Sequence, residues 1–91
     1  MEVIVKRGFL KDLRKTPAHI QEKIGDAIGI LEKSKRLEES GLDYRKMSGQ
    51  KKGENFYRIR TGEYRIGVEL KPPSIIFITV LHRSEIYRHF P

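Results

Sequence analysis

Hydrophobic and polar positions change their period along this chain, and each change predicts an element boundary. Val3, Ile4 and Val5 are a short β-branched run flanked by charge, the pattern of an opening strand. Phe9, Leu10 and Leu13 then fall at helical spacing. Thr16-Pro17 interrupts that helix, because the proline ring pushes Thr16 out of the α region. A second helix is expected from there, with Thr16 as N-cap and Pro17 at its first position. Ile20, Ile24, Ala27, Ile28 and Leu31 form its inward stripe, while Gln21, Glu22, Lys23, Asp26, Glu32 and Lys33 face water.

From Ser34 to Gly53 the periodicity dissolves into polar residues broken by Gly41, Ser48-Gly49 and Gly53, which predicts a connector. Strands are expected at Asn55–Arg60, Tyr64–Leu70 and Ser74–Leu81, separated by Thr61-Gly62-Glu63 and Lys71-Pro72-Pro73. The run Ile75-Ile76-Phe77-Ile78-Thr79-Val80-Leu81 is apolar on both faces, as a central strand requires. The tail Arg83–Pro91 reads as a short helical turn or a strand continuation. The order defines an α+β fold: an N-terminal strand and a helical hairpin packed on a mostly antiparallel sheet of about four strands. Residues 1–91 are read as a single domain, a length that buries roughly 60–70% of the unfolded chain's surface in one modest core.

The hairpin Tyr57–Val68 carries the sharpest chemical signal. A two-residue loop at Gly62-Glu63, which a type II′ turn favours, sets Thr61 opposite Tyr64, Arg60 opposite Arg65, Ile59 opposite Ile66 and Arg58 opposite Gly67. Alternation then places Tyr57, Ile59, Tyr64, Ile66 and Val68 on the face toward the helices, and Arg58, Arg60 and Arg65 on the other. Directly opposed arginines cost roughly 0.2–1 kcal/mol. A phosphate bridging them relieves that cost, because guanidinium forks match its oxygens. A solvated face on which arginine guards against edge aggregation is the plainer reading of any single one. Three on one face favour an anion site. Gly67, opposite Arg58, is expected to leave the surface open to an approaching backbone.

Charge supports the same reading. Nineteen Lys+Arg against twelve Asp+Glu give a net charge of +7, and charged residues make up 34% of the chain. Such a surplus attracts polyanions, nucleic acid first. Cysteine is absent, which excludes disulfides and thiolate metal sites. His19, His82 and His89 lack metal-ligand spacing, Ser84 has no nucleophile-elbow context, and no glycine-rich phosphate loop precedes a helix. The opening Met1–Lys6 is unlike a signal peptide, and the longest apolar run is too short to span a membrane, so a cytoplasmic location is expected.

Two further residues draw notice. His82 ends the apolar strand and is expected beside the arginine face if that strand lies next to Tyr64–Leu70; a histidine there can move a proton. Tyr87 can stack on a base or donate a hydrogen bond. A lone strand-end histidine is more often structural, and a tyrosine near the C-terminus more often packs.

In the order of its features the chain resembles the RelE/ParE toxin superfamily nearly end to end. The resemblance runs through Phe9-Leu10-Lys11-Asp12-Leu13, Pro17…Ile20-Gln21…Ile24, Lys46-Met47-Ser48-Gly49, Tyr57-Arg58-Ile59-Arg60, Gly62-Glu63-Tyr64-Arg65-Ile66 and His82-Arg83-Ser84-Glu85-Ile86-Tyr87-Arg88. The last segment tilts it toward the mRNA-cleaving RelE-like branch. The resemblance implies a microbial-ribonuclease-like fold and metal-independent mRNA cleavage in the ribosomal A site, beside the 16S rRNA of the 30S subunit, with no cofactor. It also implies a cognate antitoxin that masks the basic groove, and no membrane partner.

Arg65 and Arg58 match cradle positions of the family motif, with Arg60 beside them. Lys46, Lys51, Lys52, Arg83 and Arg88 complete the expected phosphate-binding set. Relatives with lysines in the first basic strand use them for charge stabilisation or as base; arginine stays protonated and serves poorly as a base. The expected proton-transfer groups are therefore His82 and Tyr87, with Arg65 stabilising charge. A ParE-like, non-catalytic inhibitor of DNA gyrase and an inactive RNA-binding relative are the alternatives.

Overall fold

The computed structural model describes residues 1–91. Its elements in chain order are β1 (Glu2–Val5), α1 (Arg7–Leu13), α2 (Ala18–Lys33), a short 3-10 turn (Leu37–Glu39), β2 (Tyr44–Lys46), β3 (Phe56–Thr61), β4 (Tyr64–Lys71), β5 (Ser74–His82) and α3 (Ile86–His89). The sheet runs β1-β5-β4-β3-β2. β1 pairs parallel with β5, and every other pairing is antiparallel.

The sheet has five strands rather than about four. The additional one, β2, lies inside the expected connector and pairs Tyr44 with Ile59, Arg45 with Arg58 and Lys46 with Tyr57. Three residues carrying two cations offer no apolar alternation, so only its partner strand reveals it. The helix boundary also differs. α2 starts at Ala18 with Pro17 in the N-cap position, and no side chain caps it. Thr16 turns backwards instead: its Oγ1 donates to the Leu13 carbonyl at 2.7 Å, finishing α1. Gln21 Nε2 donates to the Leu13 and Thr16 carbonyls at 3.1 and 3.0 Å and locks the corner between the helices.

Phe9, Ile20, Ile24 and Leu31 from the helices meet Ile59, Ile66, Val68, Ile75, Phe77 and Val80 from the sheet in one buried core. Each large side chain so covered stabilises the fold by about 1.5–3 kcal/mol. A second, smaller core lies on the opposite face, where Met47, Ile86 and Phe90 pack with Phe56, Ile78 and Leu81. Through it the tail folds back over the sheet, and the two cores explain why β5 is apolar on both sides.

Gly67 belongs to this second contact, which corrects the expectation of an open surface. A Cβ there would lie 2.8 Å from Thr79 Cγ2 and 2.9 Å from two Phe90 ring carbons. The absent side chain lets the Phe90 ring sit flat on the strand. β5 also carries a bulge. Gly67 pairs with Thr79 but Val68 pairs with Phe77, leaving Ile78 as an extra residue. Beyond it every side chain of β5 changes face.

Candidate active site

The β3–β4 hairpin has the expected register, with Arg60 opposite Arg65 and Arg58 opposite Gly67. Gly62 takes φ +59 while Glu63 stays at negative φ, the arrangement of a II′ turn. β2 adds a second opposed pair, Arg45 and Arg58. The result is a cavity of about 160 Å³ lined by Asp43, Arg45, Arg58, Arg60 and Arg65. At about 30 Å³ per water, it has room for a phosphodiester group.

Few counter-charges serve this wall. Arg60 Nη1 lies 3.9 Å from Asp43 Oδ2, both side chains mostly exposed. Arg45, Arg58 and Arg65 have no carboxylate partner. Arg65 Nη1 donates instead to the carbonyls of Gly62 at 2.8 Å and Tyr64 at 2.9 Å, which folds the guanidinium against the turn. Burial, then the charges of Arg60 and Arg58, pull the Arg65 guanidinium below its ordinary pKa, with Arg83 adding to the effect and Tyr87 opposing it. An anion in the cavity removes the repulsive part of that cost.

Tyr87 hangs over this wall from α3. Ile86 and Phe90 on the same short segment are buried, while Tyr87 itself is 63% exposed. The Arg58 guanidinium carbon lies 5.1 Å from its ring centroid, within cation–π range. Arg83 is held at the hairpin turn, its Nε 2.9 Å from Glu63 Oε2 and its N–H donating to the Glu63 carbonyl at 2.8 Å.

His82 is not at this site. It pairs with Tyr64 across the β4–β5 ladder, so its ring lies on the helix side and meets Tyr64 edge-on at 5.5 Å. The Ser84 backbone N–H donates to His82 Nδ1 at 3.2 Å, and Glu63 Oε2 lies 3.9 Å from Nε2. The cause is the Ile78 bulge. With Ile75 and Phe77 inward, unbroken alternation would send His82 to the arginine side; the extra residue reverses it. Leu81 is the β5 residue opposite Arg65.

The lysines are also apart from the cavity. Lys46 pairs with Tyr57 and so points to the helix face, while Lys51 and Lys52 lie in the β2–β3 loop at the far end of β3 from Arg60. Arg88 is exposed on α3 and is not among the lining residues. Asp43 and Arg45 are the lining residues the pattern missed; their only signal is that they alternate with Tyr44 across three positions. No three His, Cys, Asp or Glu side chains converge as metal ligands would.

A helical hairpin lies on one face of a mixed sheet and a guanidinium-walled, tyrosine-rimmed cavity on the other, which defines a small basic α+β protein with a cationic surface cavity. The chain belongs to the ParE toxin family of type II toxin-antitoxin systems, whose sequence model matches residues 3–87. It is similar along its whole length to Toxin RelE3 of Methanocaldococcus jannaschii, with 43% identity over 91 residues and all of both chains covered. The toxin–antitoxin complex RelB-RelE of Methanococcus jannaschii contains a chain matching with TM-score 0.80 and 41% identity, covering 97% of this chain and 99% of that one. The archaeal RelE-RelB complex of Pyrococcus horikoshii shares the fold at TM-score 0.71 and 23% identity, covering 90% and 93%.

Proposed function

We propose that this toxin is an mRNA endoribonuclease acting in the ribosomal A site and silenced by a cognate antitoxin of the RelB kind. The observation that carries the reading is the convergence of Arg45, Arg58, Arg60 and Arg65 on one cavity with Tyr87 at its rim. Full-length similarity to Toxin RelE3 supports the toxin class and its RelE branch.

In this reaction the ribose 2′-oxygen attacks the adjacent phosphorus, the P–O5′ bond breaks, and the products are a 2′,3′-cyclic phosphate and a 5′-hydroxyl. The negative charge that builds on the phosphoryl oxygens falls among the guanidinium groups, donors already in place before the reaction. The Tyr87 hydroxyl is the group at the rim suited to protonate the leaving O5′, and its ring offers a base a stacking surface. His82, on the far face, takes no part.

Gyrase inhibition is the second reading, favoured by the ParE name of the matching family model. One assay separates them. The chain is added to ribosomes carrying a defined message with an empty A site, and 5′ ends are mapped. Cuts in reading-frame register with 5′-hydroxyl ends support the nuclease; intact message together with blocked gyrase supercoiling overturns it.

A further inference from the structure

We propose that Asp43 is the general base that takes the proton from the attacking 2′-hydroxyl, an assignment that rests on the nuclease reading above. Of the five residues lining the cavity, four are arginines. Arginine remains protonated and has no acceptor site, so none of them can accept a proton. Asp43 is the one lining group with lone pairs to offer. Its position is fixed by the backbone: the Arg60 N–H donates to the Asp43 carbonyl at 2.8 Å, one step beyond the Tyr44–Ile59 pair, so Asp43 and Arg45 flank Tyr44 on the cavity side.

The carboxylate is tied loosely. Its single ion-pair contact, to Arg60, is 3.9 Å long and not bidentate, and 61% of the side chain is exposed. A structural tether would be closer. The other carboxylate oxygen has no ion-pair partner, which leaves it available to a hydroxyl adjoining a phosphate bound among the arginines. Retaining an anion in an anion-binding cavity weakens substrate binding through repulsion. That cost is intelligible when the anion acts on the neighbouring donor, and a 2′-hydroxyl is the donor RNA has and DNA lacks.

The step balances. As the 2′-O–P bond forms, the hydroxyl proton passes to Asp43; as P–O5′ breaks, O5′ takes a proton from Tyr87. Exchange through solvent then returns the proton from Asp43 to Tyr87. Asp43 thus supplies part of the rate, while the RNA requirement lies in the attacking 2′-oxygen itself.

The test compares the native chain with Asp43→Asn, Asp43→Glu and Asp43→Ala on programmed ribosomes under single turnover. General-base catalysis contributes about 10²–10⁴-fold. Asp43→Asn is therefore expected to lose at least about 100-fold in cleavage rate while its affinity for a 2′-deoxy-substituted message holds or rises, since a negative charge has been removed. Asp43→Glu is expected to recover part of the rate, and added formate to speed Asp43→Ala alone. Circular-dichroism melts confirm that each variant is folded. If Asp43→Asn cuts within about threefold of the native rate, a difference of well under 1.4 kcal/mol in barrier, the assignment is wrong. Should Asp43→Asn lose cleavage and affinity together, with no response of Asp43→Ala to formate, Asp43 only shapes the cavity and is not the base. A native chain that leaves the message intact sinks the nuclease reading itself, which the native arm alone reports.

Discussion

The Arg58 guanidinium carbon lies 5.1 Å from the centroid of the Tyr87 ring, joining a charge on β3 to an aromatic group carried by the last helix. The proposed mechanism gives ring and hydroxyl separable duties. Tyr87→Phe keeps the ring, so RNA affinity is expected to hold while single-turnover cleavage falls by about 10²–10⁴-fold. Tyr87→Ala should also weaken RNA binding, by about 1–3 kcal/mol for a lost stacking surface. Filter binding and cleavage kinetics measured side by side decide it. Full activity in Tyr87→Phe would leave Tyr87 as a platform only.

His82→Gln should leave cleavage within about threefold of the native rate, because its ring packs on Tyr64 across the sheet from the arginines. A collapse in rate with the fold intact would place the ring back in the reaction.

The opposed pairs Arg45–Arg58 and Arg60–Arg65 predict that the fold is stabilised by small oxyanions. Sulfate at a concentration near its own dissociation constant contributes about 0.4 kcal/mol. For a chain of this size that is roughly a 2–3 °C rise in Tm, compared with chloride at equal ionic strength. Arg58→Gln/Arg65→Gln should lose the increment. An equal sulfate response in native chain and double variant would show that the wall does not hold anions.

Each arginine that touches backbone should also register in the salt dependence of RNA binding. Arg45→Ala is expected to flatten the slope of log affinity against log salt by about 0.7, one phosphate contact on a single strand. Lys51→Ala, in the loop beyond the cavity, should leave the slope in place.

Gly67→Ala should destabilise the fold by about 1–3 kcal/mol, since the new methyl meets Thr79 and the Phe90 ring at under 3 Å. That corresponds to a drop in Tm of roughly 4–8 °C per kcal/mol. Phe90→Leu in the same chain should recover part of the loss, and thermal melts of both variants measure it. Cleavage should fall with Gly67→Ala even below the melt, because Phe90 anchors the helix that carries Tyr87.

The helices and the β3–β4 hairpin were legible because their apolar positions repeat with the period of the element that buries them. Ile20, Ile24, Ala27 and Leu31 keep helical spacing, and Ile59, Ile66 and Val68 alternate, so the opposed arginines followed from a turn residue and parity alone. β2 was hidden by its length, and with it went Arg45 and Asp43. The bulge was hidden for a different reason. In a stretch where Ile75 through Leu81 is apolar apart from Thr79, an extra residue leaves no polar mark, so the parity of everything after it, His82 included, was unreadable. Gly67 was recognised as a place of close approach, but the approaching group is the chain's own Phe90.

The extra residue in β5 also sets what kinds of change this chain can tolerate. Ile78 can be exchanged for another aliphatic side chain at little expense, yet deleting it would rotate the remainder of the strand by half a turn. Leu81 and His82 would trade sides, and the tail would depart from the wrong surface, carrying Tyr87 away from Arg58. The placement of Tyr87 over the arginine cavity thus depends on a residue count rather than a residue identity in a strand that supplies none of the cavity's lining, and length variation there should be far rarer than substitution.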